Sequence, residues 1–137
     1  LLFKFTAIVF GEYMSKYFIF LGSVNAFLAV GLGAFGAHGL KSRITPDLLD
    51  VYQTGVHYHM FHALGLILVG VIAHWLSNSN LVAWSGGLIL SGIIIFSGSL
   101  YVLSLTGIRT FGAITPVGGV AFLAGWILLA YASLKNL

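Results

Sequence analysis

Charge is what this sequence has least of. Only 7% of its 137 residues are Asp, Glu, Lys or Arg, against about a quarter in ordinary soluble domains. Hydrophobic types make up 59%, and the mean hydropathy is +1.04. A water-soluble fold of this size cannot hide so much apolar surface, because small domains bury only part of what their chains expose. The solvent is therefore largely lipid. Cysteine is absent altogether, which excludes disulfides, thiolate metal sites and cysteine nucleophiles. The formal charge of +3 is spread along the chain. It reads as membrane-flanking charge and not as a nucleic-acid surface.

What remains is apolar sequence. A membrane-spanning helix needs about 20 such residues, so the chain holds four spans joined by short loops. The expected fold is all-α: an integral membrane bundle of four transmembrane helices over residues 14–137. Residues 1–13 stand apart. A straight helix from Leu1 to His38 would be about 57 Å long, nearly twice the hydrocarbon thickness. The segment Leu1–Tyr13 is expected to be a non-native or interfacial extension that does not continue the first span in a straight line.

Span one runs from Tyr17 to His38 and carries Gly22, Ala26, Ala29, Gly33 and Ala37 along one stripe. Small residues let helix backbones approach closely in lipid, where hydrophobicity alone does not drive helices together. Asn25 lies inside this span, and its amide must find a partner within the bundle. Thr45-Pro46-Asp47 reads as a helix start, with Thr as N-cap and Pro in the first helical position. The second span begins near Gly55 and ends at Trp75, before the polar turn Ser77-Asn78-Ser79-Asn80. Span three, Leu81–Leu105, aligns Gly87, Ser91, Ile94, Gly98 and Tyr101. Span four runs from Thr115 to Leu134 and contributes Gly118 to packing. Ile-Thr-Pro opens both even spans, at Ile44 and Ile114. That hints at two related hairpins, but capping explains both copies.

Several segments together carry a resemblance. They are Gly33-Ala34-Phe35-Gly36-Ala37-His38-Gly39-Leu40, Gln53-Thr54-Gly55 through Tyr58 with Phe61-His62, Phe96-Ser97-Gly98-Ser99-Leu100-Tyr101, and Ile114-Thr115-Pro116-Val117-Gly118-Gly119 with Leu123-Ala124-Gly125-Trp126. The chain resembles the YwdK/YgdD family of small bacterial membrane proteins from Met14 onward. The resemblance implies four transmembrane helices and a bacterial plasma membrane. It implies no activity, cofactor or catalytic residue.

Histidine is the sharpest polar signal. His57, His59 and His62 sit near the start of span two, and His38 ends span one. Neutral imidazole is a common ligand for zinc, copper and haem iron, and His59 and His62 share a helix face at i, i+3. The plainer reading has these side chains hydrogen-bonded to backbone carbonyls or lipid headgroups. His38 reads as a pocket-mouth residue or, more plainly, as a helix C-terminal residue favoured by the dipole. Ser97 and Ser99 lack the Gly-x-Ser-x-Gly elbow of a hydrolase. They are expected to bond the backbone carbonyl one turn back.

These observations point first to a small non-enzymatic accessory bundle that engages lipid or a quinone-like ligand, with His38, Tyr58, His62 and Tyr101 converging on a shared pocket. A small oligomeric transporter or channel is the second reading, and a His-ligated metal or haem protein the third. The glycine stripes suit a homo-oligomer, a larger membrane partner or packing within one chain. No cofactor is assigned by the sequence.

Orientation follows from charge. Lys16 and Lys135, with Lys4, face Lys41, Arg43 and Arg109 across the membrane, a near tie on the positive-inside count. Both termini are expected in the cytoplasm, on the even-span, short-tail pattern of the family. With no native cysteine, single cysteines at Ser42 and Ser79 test this by labelling from outside intact cells. Label at Ser42 and protection at Ser79 are expected, and the reverse would invert the topology.

Overall fold

The structure is a computed structural model that describes residues 2–76 and 79–136. The Ser77-Asn78 part of the polar turn lies outside the described residues. Helix α1 runs over Leu2–Phe35 and passes into a π-helical turn, Gly36–Leu40. Helix α2 covers Pro46–Trp75. Helix α3 (Asn80–Gly92), a second π-turn (Ile93–Ser97) and helix α4 (Gly98–Thr106) form one continuous third span. A 3-10 turn, Arg109–Ala113, leads into α5, Thr115–Asn136. Four helical segments among the described residues are long and apolar enough to cross a membrane, so the architecture is the all-α four-span bundle.

Residues 2–13 do not break from the first span. They are helical and continuous with it. The segment contains no proline, and a lone glycine at Gly11 costs only about 1 kcal/mol in a helix interior. Tyr13 and Tyr17, one turn apart and both exposed, stack with ring centroids 6.4 Å apart. With Lys16 between them they form the aromatic and basic belt expected at a membrane-water interface. At about 1.5 Å per residue, the 34-residue α1 is longer than the hydrocarbon core of a bilayer is thick.

Helix starts and stops follow local chemistry with one departure. Thr45 is extended (φ −67°, ψ 154°) and Pro46 opens α2, yet the Thr45 side chain makes no capping hydrogen bond. Thr115 is already helical, and its hydroxyl pairs with Ser99 Oγ at 2.7 Å. Of the two Ile-Thr-Pro copies, one therefore serves as a helix entry and the other ties α5 to α4. Gly107 ends α4 with φ +71°, and its N–H donates to the Leu103 carbonyl at 2.8 Å.

Helix α2 is the centre of the bundle. Its buried residues, Tyr52, Gly55, His59, His62, Leu66, Val69 and Ala73 among them, recur at three- and four-residue spacing, as an inward helix face requires. Helix α1 packs on α2, and α5 packs on α3. Glycine sets the closeness of these contacts. A Cβ at Gly22 would lie 2.8 Å from the Ile67 nitrogen and 2.9 Å from the Ala63 carbonyl oxygen. One at Gly118 would collide with the Phe96 backbone. Gly33 is less tight, meeting only the Val56 side chain at 3.2 Å. Ala29 in the same stripe is 1% exposed, and Ala26 is half-buried.

Several positions depart from the expected stripes: Ala37 in the first span, and Gly87, Ser91, Ile94 and Gly98 in the third. The inward faces keep ordinary helical spacing, Ala29 to Gly36 in the first span and Gly86, Ile89 and Ile93 in the third, so the expected stripe is one residue out of phase at Ala37 and along the third span. Gly36 rather than Ala37 faces inward, under the Tyr52 ring. In the third span Ser97, Ser99 and Leu100 turn inward, while a Cβ at Gly98 would meet nothing within 4 Å. Gly98 therefore packs against no neighbour among the described residues of the chain. Gly87 also meets open space, and Ser91 and Ile94 are exposed.

These differences predict a ranking in detergent melting curves. Gly22→Leu and Gly118→Leu should each cost about 1–3 kcal/mol or more through overpacking, Gly33→Leu less, and Gly98→Leu nothing. Equal melting temperatures across the set would show that the stripes face lipid. For topology labelling, Ser79 is a poor position, since it is 6% exposed. The adjacent, exposed Asn80 reports the same loop.

Candidate functional site

The polar side chains of the spans meet on α2 in two clusters. In the first, His59 bridges α1 and α4. Its Nε2 lies 3.0 Å from Asn25 Oδ1, and its Nδ1 lies 3.0 Å from the Tyr101 hydroxyl. Asn25 Nδ2 donates to the Leu21 carbonyl at 2.8 Å, which turns its oxygen toward His59. An amide oxygen only accepts, so Nε2 of a neutral His59 carries the proton and Nδ1 accepts from Tyr101. The result is one directed chain: Tyr101 O–H to His59, His59 N–H to Asn25, Asn25 N–H to Leu21. Tyr52 flanks it, with its ring 5.2 Å from that of Tyr101 and its hydroxyl donating to the Leu32 carbonyl at 2.7 Å.

His62 organises the second cluster. Its Nδ1 lies 2.7 Å from the Tyr58 carbonyl and must donate to it. Its Nε2 accepts from Trp126 Nε1 at 3.1 Å. The imidazole stacks on Phe122, with centroids 3.4 Å apart and planes at 14°, and lies nearly parallel to the Tyr58 ring. Phe96 closes the group, 4.4 Å from Tyr58 and 5.5 Å from Phe122. This aromatic box joins α2, the second π-turn and α5.

Serines contribute more than their expected local bonds. Ser91, Ser104 and Ser133 do bond the carbonyl one turn back. Ser97 instead donates across the bundle to the Gly55 carbonyl at 2.8 Å, and Ser85 to the Gly125 carbonyl at 2.7 Å. In both pairs the acceptor is a glycine whose missing side chain lets the partner helix approach. Among the described residues, no buried side-chain nitrogen or oxygen lacks a partner.

Among the described residues, half-open cavities adjoin these clusters. One of about 610 Å³ is lined by His57, Tyr58, Phe61, His62 and Trp126. A second, about 390 Å³, lies on the other side of the same aromatic wall, against Phe96, Phe122 and Leu123. The third, about 310 Å³, lies between α1 and α2 and is lined by Gly33, Tyr52, Gln53, Val56 and His57.

The expected convergence of four residues therefore divides. Tyr58 and His62 share the aromatic cleft. Tyr101 belongs with His59, not His62. His38 is exposed in the first π-turn, and no hydrogen bond or ring contact joins it to His62 among the described residues. Gly36 and Leu40 face inward in its place. Sequence reasoning did not place His59, Phe122 or Trp126 in the site. Asn25 was the available signal, since an amide inside a span requires a partner. The metal or haem reading is weakened. Both ring nitrogens of His59 and of His62 are committed to other partners, and no group of three or more His or carboxylate side chains converges among the described residues.

Tyr101→Phe would remove the donor to His59 Nδ1 and leave a buried acceptor unpaired, a loss of about 1–3 kcal/mol. Asn25→Leu should cost a similar amount. The double variant should cost less than the sum, since contacts within one network couple. His57→Ala, at an exposed position, should leave the detergent melting temperature unchanged. Strict additivity of the first pair would show that the three groups do not act as one chain.

Comparison with known proteins bears on the whole chain. A family model described as "Protein of unknown function (DUF423)" matches residues 32–119. The UPF0382 membrane protein YwdK of Bacillus subtilis (strain 168) is 56% identical over 122 residues, covering 89% of this chain and 99% of the relative. A UPF0382 membrane protein of Staphylococcus aureus (strain bovine RF122 / ET3-1) is 52% identical over 120 residues, 88% of this chain and 97% of its own length. One from Staphylococcus saprophyticus is 49% identical over 120 residues, with 88% and 98% covered. No solved structure matches. The similarity to integral membrane proteins of Bacillus and Staphylococcus places the chain in the bacterial plasma membrane, and with these matches it belongs to the UPF0382/YwdK family of small polytopic membrane proteins.

Proposed function

We propose that this protein is a non-enzymatic accessory bundle that takes an amphipathic ligand from the bilayer into the cleft between α2 and α5. The observation that carries this reading is the 610 Å³ cavity walled by Tyr58, Phe61, His62 and Trp126. Ligand pockets are concave, mostly apolar and provided with a few placed polar groups, and this one combines aromatic walls with an imidazole edge. The bond from Trp126 to His62 fixes both rings before any ligand arrives. That lowers the ordering cost of binding. The cleft is open-sided, so entry is lateral, from the membrane.

A transporter reading has less support. The polar chain through Asn25, His59 and Tyr101 is closed by its own hydrogen bonds. No Asp, Glu, Lys or Arg lines any of the three cavities, whereas ion and proton pathways place ionisable groups at depth.

Purification in mild detergent, then solvent extraction and mass spectrometry, tests the proposal. One class of amphiphile should be enriched over the bulk membrane extract. Phe61→Ala removes one wall at a residue that is 73% exposed, and it should reduce that enrichment several-fold. An extract indistinguishable from bulk lipid, and unaltered by Phe61→Ala, would overturn the reading.

A further inference from the structure

The cavity between α1 and α2 carries polar groups that the aromatic cleft lacks. Gln53, His57 and Phe61 succeed one another at i, i+4 and i+8 along a single exposed edge of α2. His57 lines both the 310 Å³ cavity and the 610 Å³ cleft, Gln53 only the first and Phe61 only the second. The edge thus passes from an amide through an imidazole to an aromatic ring. No hydrogen bond engages Gln53 or His57 among the described residues, in contrast to His59 and His62. Gly33 helps keep the smaller cavity open, since a Cβ there would already meet Val56 at 3.2 Å.

Charge restricts what such a site accepts. Neither cavity is lined by a Lys or Arg. The cations on this side of the bundle, Lys41, Arg43 and Arg109, lie outside the helices that line them, and Arg109 is paired with Asp47 at 3.2 Å. His57 lies about 15 Å further along α2 than Asp47. A phosphate in the cavity would leave water without gaining a cation, which is costly for a buried charge. A neutral carbonyl would instead accept from the His57 ring N–H or the Gln53 amide. A planar ring attached to it would stack on Tyr58, Phe61 or Trp126, as aromatic rings favour.

We infer that the ligand is a neutral amphiphile with a planar carbonyl-bearing ring, of the prenylquinone class, held by His57 and Gln53 on its carbonyl and by the aromatic cleft on its ring. This rests on reading the cleft as a ligand site. Trp75→Phe with Trp84→Phe, both at exposed positions, leaves Trp126 as the only tryptophan of the three in the chain. The protein in detergent micelles is then titrated with a naphthoquinone bearing one prenyl unit, with the corresponding prenylnaphthalene lacking carbonyls, and with phosphatidylglycerol. Saturable quenching of Trp126 by the naphthoquinone is expected. It should weaken about tenfold in His57→Ala and several-fold in Gln53→Ala, roughly the loss of one hydrogen bond each. Saturable binding of the carbonyl-free analogue with equal affinity, or displacement of the quinone by phosphatidylglycerol, overturns the inference and leaves the cleft standing as a ligand site. Linear, unsaturable quenching that is the same in His57→Ala, with no binding of the other two probes, overturns both. Unchanged melting temperatures confirm that the variants are folded.

Discussion

Hydrocarbon offers no hydrogen bond, so a polar side chain inside the bilayer must find its partner within the protein. In this bundle most of the side-chain bonds between spans pass through α2, with the Ser85 to Gly125 and Ser99 to Thr115 bonds joining the others. Tyr52 reaches the Leu32 carbonyl, His59 holds Asn25 and Tyr101, Gly55 accepts from Ser97, and His62 joins Trp126. These bonds tie α1, the third span and α5 to one central helix. They also fix rotation and depth, which dispersion between apolar faces sets only loosely. The core of Leu66, Val69, Ala73, Val82, Ile89 and Phe122 fills the space that this polar framework leaves.

Close approach makes those bonds geometrically accessible. A serine hydroxyl reaches only a short way from its own backbone, so Ser85 and Ser97 can meet a neighbouring carbonyl only where the helices nearly touch. Gly125 and Gly55 create those places. Glycine and serine thus act as pairs across an interface rather than as separate features of single helices. Contacts of the same kind occur within the two π-turns: Gly36 lies beneath Tyr52, and Ser97 meets Gly55.

Span number, span ends and the general position of the loops were legible in the sequence because they depend on composition, proline and polar turns. Gly22, Gly33 and Gly118 stood out in the sequence as small residues within the spans. The stripes through Ala37 and Gly98 were one residue out of phase with the inward faces, because the spacing of small residues does not say which of two adjacent positions meets a neighbouring helix. His38, next to Ala37, lies on the same exposed side. The helical continuity of α1 through residues 2–13 has a different origin. Length relative to the bilayer argued for a break, but nothing in the segment supplies one. Tyr58 and His62 were legible together at i, i+4 on one helix. Pairing His59 with Asn25 and Tyr101 required the tertiary arrangement of three spans.

The opposite hydrogen-bond polarities of the two buried histidines give them different tolerance for an added proton. Extra charge on His59 would place a donor on Nδ1, opposite the Tyr101 hydroxyl, which can rotate and accept. On His62 the new donor would be Nε2, facing the indole N–H of Trp126, which has no acceptor to offer. Rings three residues apart on one helix thus differ in kind. One can be charged while keeping its neighbours, whereas charging the other sets donor against donor in the wall of the aromatic cleft.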